Sequence, residues 1–237
     1  MSKLRKQSIA IGILIICTFI FGILSIEQSI DSKEYLSIVA ENMFSVKVAL
    51  VSQLLLAFTY LAIAVLIFSV ISKYDLEISC GYLVFKSTSQ VFNILGTMFI
   101  IAFITLSKEY GENSPENLSM YVLVGDLLKS ARDYANHVIM ILLNNIGILI
   151  FSFIALRYKI IPRWISLLGI FGALVSGFAS VLVLFDLMDV LTTEYLLLNV
   201  PIAVQDLILA TFLIIYGFKD FELGANDERK AGRTKVL

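Results

Sequence analysis

The 25 residues VALVSQLLLAFTYLAIAVLIFSVIS, from Val48 to Ser72, contain no Asp, Glu, Lys or Arg and are bracketed by Lys47 and Lys73. A helix rises about 1.5 Å per residue, so about 20 apolar residues cross the hydrocarbon core of a bilayer. The stretch is long enough to span, and too long for the core helix of a small soluble domain. Working outward, charge-free runs recur at Gln7–Ile26, Ser87–Ser107, Tyr134–Leu156 and Trp164–Phe185, and a sixth, Tyr195–Phe218, is interrupted only by Asp206. The expected fold is an all-α polytopic bundle of six transmembrane helices at about 8–26, 48–71, 79–106, 137–156, 164–185 and 198–218. Together they make one domain over residues 1–218, and residues 219–237 form a charged cytoplasmic tail. Composition agrees: 59% hydrophobic, 16% charged and a mean hydropathy of +0.90 stand against about 25% charged residues in soluble domains.

The remaining chain is too short for a soluble catalytic domain. Eighteen basic and 19 acidic residues, without an Arg-rich cluster, leave no electrostatic footprint for nucleic acid. Cys17 and Cys80 lie in different spans and are expected to be reduced, buried thiols; with the single His137 they fall short of a zinc ligand set. No metal, cofactor or catalytic residue is therefore expected. Lys3, Arg5 and Lys6 before an apolar run resemble a signal peptide, but the run is too long for one and no small-residue cleavage site follows Ile26, so the first span is expected to be retained.

Lys and Arg concentrate on the cytoplasmic side of membrane proteins. With a cytoplasmic N-terminus, twelve of them lie inside, at Lys3, Arg5, Lys6, Lys73, Arg157, Lys159, Arg163, Lys219, Arg229, Lys230, Arg233 and Lys235. Only five, Lys33, Lys47, Lys108, Lys129 and Arg132, lie outside. Both termini are thus expected to be cytoplasmic. Two amphipathic outer segments are expected. In the first, Asp31 and Glu34 have N-cap and N3 spacing, and Leu36, Val39, Ala40, Met43 and Phe44 recur on one face. In the second, Ser114-Pro115 starts a helix with an apolar stretch from Leu118 to Leu128. Pro201 is expected in the first turn of the sixth span, where a missing N–H matters least.

Polar residues within the spans are the candidate site. In the third span Lys86, Gln90, Asn93 and Thr97 are spaced to share one helix face at about 100° per residue. The sixth span adds Gln205 and Asp206, the fourth Asn144 and Asn145, the second Gln53 and Tyr60. Lys86 and Asp206, the only formal charges inside the spans, have opposite sign. Unpaired at helix centres they would cost on the order of 5 to 7 kcal/mol together, and their depths, about 12 and 18 Å from the inner edge, allow a lysine stem to reach. A direct or water-bridged contact is expected, with Gln90, Asn93, Gln205, Tyr60 and Asn144 around it. Such a pair can fix helix register or form a substrate or proton site, and both readings stay open. The small residues Gly169, Gly172, Ala173, Ser176, Gly177 and Ser180 of the fifth span are expected to serve close helix packing.

The segment RYKIIPRWISLLG at 157–169, the motif PIAVQD at 201–206 and the ending YGF at 216–218 resemble the bacterial membrane family catalogued as domain of unknown function 4386. In that family the third span tends to carry Phe-Arg where this chain has Phe85-Lys86, and the later motif ends in Glu where this chain has Asp206. The signs of charge are kept while the bidentate geometry of arginine is lost. The resemblance implies a six-span protein of the bacterial cytoplasmic membrane and no particular activity. Three functional classes follow from the residues. A non-catalytic binding or regulatory module, taking a small lipophilic ligand or a membrane-protein partner within the lipid bilayer, needs least. A small-solute or proton-coupled transporter is the alternative, disfavoured by the lack of repeats and mid-helix prolines. An intramembrane enzyme would need more clustered acid and base residues.

Overall fold

The computed structural model describes residues 1–32, 34–112, 118–190 and 192–219. Apart from Lys219, the expected tail lies outside the described residues, as does the Ser114-Pro115 helix start. The described chain is all helical. The first span is α1 (Lys3–Leu24), followed by the short α2 (Gln28–Asp31) and α3 (Tyr35–Glu41). The second and third spans are α4 (Met43–Ile71) and α5 (Leu76–Glu112). Next, α6 (Leu118–Asp133) runs through a π-helical turn (Tyr134–Ile139) into α7 (Met140–Tyr158), and α8 (Arg163–Leu184) and α9 (Thr193–Ile215) complete the chain. Six helices are long and apolar enough to cross a membrane, with α6, the π turn and α7 counting as one.

Local chemistry sets the ends. Ser2 and Thr192 accept hydrogen bonds from the amides of Arg5 and Tyr195 at 3.2 and 3.3 Å, capping α1 and α9. Pro162 stops the preceding chain and starts α8, and α7 ends on Lys159 in the left-handed region at φ 55°. Several boundaries differ from the sequence expectation. Asp31 ends α2 instead of capping a longer helix, and Glu34 precedes α3 without a side-chain cap bond. Because α9 begins at Thr193, Pro201 lies inside the span. There it removes one i→i−4 hydrogen bond, at the level where α8 comes nearest. A Cβ on Gly172 would sit 2.9 Å from the backbone N and Cα of Ile202.

Each span packs against its sequence neighbours and α9 returns to α1, so the order α1, α4, α5, α7, α8, α9 closes into a ring. Chain crossings alternate between two faces, and both described ends lie together on one, here called the terminal face. Arg5 donates from Nη1 to Leu213 O at 2.9 Å and from Nη2 to Ile214 O and Ile215 O at 2.5 and 2.9 Å, satisfying the last carbonyls of α9. The main apolar cluster, with Ile11, Ile67, Ile71, Ile154, Ile160 and Leu213, fills the ring towards this face. Towards the opposite face α3 folds inward, burying Tyr35, Leu36 and Val39 against Phe103 and Ile104 of α5. Cys17 is half-buried, and Cys80 is exposed on the outside of α5 rather than buried as expected.

Candidate functional site

Lys86 is buried, 7% exposed, because Gly147 of α7 leaves room for its stem: a Cβ at 147 would lie 2.6 Å from both Cγ and Cδ of the lysine. The ammonium donates to Asn144 Oδ1 at 2.5 Å and lies 5.5 Å from the centre of the Tyr60 ring. Among the described residues the ion pairs join Asp31 to Lys129 and Arg132, Arg132 to Asp133, and Asp75 to Arg157. None joins Lys86 to Asp206. Of the two expected forms of contact, the direct one is absent for a topological reason: α5 and α9 are not ring neighbours, so the lysine reaches sideways to α7 instead of across to α9. The two charges share a small cavity of about 40 Å³, walled also by Thr18, Tyr60, Tyr82 and Gln205. Two of its walls, Tyr82 and Gln205, carry buried polar oxygens, the Tyr82 hydroxyl and Gln205 Oε1, without a partner. That volume and those groups suit an ordered water, which needs two to four polar partners.

Above Lys86 the shared face of α5 is a hydrogen-bonded ladder. Asn93 Nδ2 donates to Gln90 Oε1 at 3.3 Å, Gln90 Nε2 to Ser89 Oγ at 2.9 Å, and Gln53 Nε2 of α4 to Asn93 Oδ1 at 3.0 Å. Gln90, Asn93, Thr97, Gln53 and Gln205 are all buried. The structure therefore brings Lys86, Asp206, Gln205 and Tyr60 to one chamber, with Asn144 bonded to the lysine beside it and Gln90 and Asn93 above it along α5. Gln53 and Asn93 also wall a second cavity of about 270 Å³, which reaches Glu27, Asp31, Arg132, Asn136 and His137 near the face opposite the chain ends. Tyr60 lines both cavities.

One buried charge escaped the sequence reading. Arg132, counted there only as a loop charge, is 7% exposed and donates from Nη2 to Asp31 Oδ1 and Asp133 Oδ1, both at 2.6 Å. Its neighbours in sequence look like a solvated loop, and only the continuous helix through the π turn carries it inward. Asn145 donates to Ser176 Oγ at 3.1 Å, and Ser176 in turn to Asn199 Oδ1 at 2.7 Å, stitching α7, α8 and α9. The small-residue face of α8 thus carries polar bridges as well as close packing. His137 Nδ1 lies 3.2 Å from the Tyr195 hydroxyl, and the two rings meet edge to face. Between α1 and α4, burial pushes the Glu27 carboxyl up, but hydrogen bonds from the Ser29 and Ser45 hydroxyls and the Ser29 amide outweigh it and hold the group below its ordinary value. Burial and the Asp126 carboxylate it donates to push the Tyr35 phenol up.

No curated protein and no solved structure matches the chain. One family model does, over residues 10–217, a range that takes in all six described spans apart from the first turns of α1, and both charges of the chamber. By that match, which leaves little beyond the first few residues and the tail, the chain belongs to the family described as domain of unknown function DUF4386.

Proposed function

We propose that the protein is a non-catalytic binding or regulatory module of the bacterial cytoplasmic membrane, with the chamber around Lys86 and Asp206 as its recognition site and both chain ends in the cytoplasm. One observation carries this reading: Tyr60 is a wall of both cavities, so a 270 Å³ vestibule and the charged chamber meet at its side chain. A ligand entering from the face opposite the chain ends meets Gln53, Asn93 and Asn136 first and the opposite charges last. A small molecule with an apolar body and a polar or zwitterionic head matches that order. Ile30 and Asp31 of α2 stand at this end of the vestibule.

Transport is the second reading, and Pro201 favours it, since a proline inside α9 five residues before Asp206 is the kind of weak point that moving helices use. Against it, Ile67, Ile71, Ile154 and Leu213 close the ring between the chamber and the terminal face. The test is mass spectrometry of small molecules released on denaturing protein purified in mild detergent. A compound recovered from the wild type and missing from the Lys86→Met/Asp206→Asn double variant supports the binding site. Equal recovery from both proteins sinks it. Uptake of that compound into proteoliposomes, lost in the same variant, replaces the module by the transporter.

A further inference from the structure

A third cavity, of about 720 Å³, lies on the terminal face, far from the chamber. Four cationic side chains, Arg5, Lys159, Arg163 and Lys219, line it, and among the described residues no Asp or Glu does. Like charges gathered so closely repel one another, and an anion between them would relieve that repulsion. A second observation points the same way. α8 starts on Pro162, which offers no capping side chain, so the positive end of a 22-residue helix opens beside Arg163. The rest of the wall is apolar, including Leu4, Ile161, Phe212 and Phe218. Trp164 and Tyr216, 57% and 71% exposed, stand at the same level, where amphipathic rings mark a membrane–water boundary.

We propose that this groove binds the headgroup of an anionic phospholipid, its phosphodiester held by Lys159, Arg163 and Lys219 and its acyl chains descending along Phe212 and Leu4. A free phosphate would satisfy the cations but has no use for the apolar wall, whereas a lipid uses both. Arg5 belongs to the fold through its bonds to the end of α9, so the three exposed cations are the ones to test.

The experiment compares thermal unfolding in detergent micelles doped with phosphatidylglycerol or with phosphatidylcholine. Phosphatidylglycerol should raise the midpoint of the wild type and phosphatidylcholine should not. In Lys159→Gln/Arg163→Gln/Lys219→Gln the shift should disappear, because each basic group near an anionic lipid contributes about fivefold and three about a hundredfold in affinity. Lys159→Arg/Lys219→Arg, which keeps the charge and the fold, should retain it. Native mass spectrometry of the wild type with both lipids at equal concentration reads the same preference without any variant. Equal response to both lipids, or a shift that survives the triple substitution, overturns the proposal. So does a shift reproduced by glycerol phosphate alone, which would make the groove a free-anion site. A shift that emerges only when the chain is cut after Lys219 overturns it too, by assigning the groove to the acidic residues of the tail.

Discussion

Lys86 is held by what stands beside it on the ring, not by the charge opposite. Its ammonium is satisfied by Asn144 and the Tyr60 face, and Asp206 acts on it only across a space the size of a water molecule or so. A hydrogen bond to a buried charged group contributes about 1.5–3 kcal/mol. Asn144→Leu should therefore lower stability by about that amount, and in a double-mutant cycle with Lys86→Met most of the loss should vanish, giving a coupling in the range of about 0.5–3 kcal/mol found for contacting residues. The cycle of Lys86→Met with Asp206→Asn should return a smaller coupling. Thermal or chemical unfolding in detergent measures both, and a larger Lys86–Asp206 coupling would mean that the two charges are in direct contact. The sequence made these residues legible because a charge inside an apolar run is conspicuous whatever it touches. Its partner was not legible, because choosing between Asn144 and Asp206 requires knowing which helices are neighbours.

At the level of helices, local composition and register part company. The number of apolar helices was readable, since insertion depends on a local sum of apolar side chains, but the third and fourth run well past the expected 79–106 and 137–156, over Leu76–Glu112 and Leu118–Tyr158. The π turn at Tyr134–Ile139 was not, because nothing in YANHVI prefers an i→i+5 turn. It is fixed from outside, where Asn136 lies over Gly96 of α5 so closely that a Cβ there would stand 2.0 Å from Oδ1. Gly96→Ala should thus force Asn136 away and destabilise by about 1–3 kcal/mol, the usual range for overpacking. In an Asn136→Ala background the same substitution should be nearly free. If Gly96→Ala costs the same in both backgrounds, the glycine is required for some reason other than that side chain. The same turn carries Arg132 into its pocket with Asp31 and Asp133, which explains why a loop-like stretch of sequence holds a buried ion cluster.

For the whole molecule, the count of six spans follows from composition, while their cyclic order is a non-local result of which small residues meet, such as Gly172 against Ile202 and Gly12 against Ala210. Orientation is a matter of where Lys and Arg lie. Of the five Lys and Arg residues assigned to the outer side, Arg132 and Lys129 are engaged with Asp31 and Asp133, so their charge is largely cancelled. The terminal face keeps Arg5, Lys159, Arg163 and Lys219 around a groove that no carboxylate lines among the described residues. The orientation proposed above rests on the count of Lys and Arg, twelve to five, and the carboxylates that pair with some of them in the fold change it little. Single cysteines at Ser2 and Ser32, in a chain whose Cys17 and Cys80 are replaced by serine, test it with a membrane-impermeant maleimide on intact cells. Ser32→Cys, beside the mouth of the vestibule, should react at once. Ser2→Cys should react only after permeabilisation, and labelling of Ser2→Cys in intact cells would invert the molecule, moving the vestibule to the cytoplasm and the basic groove to the outer leaflet.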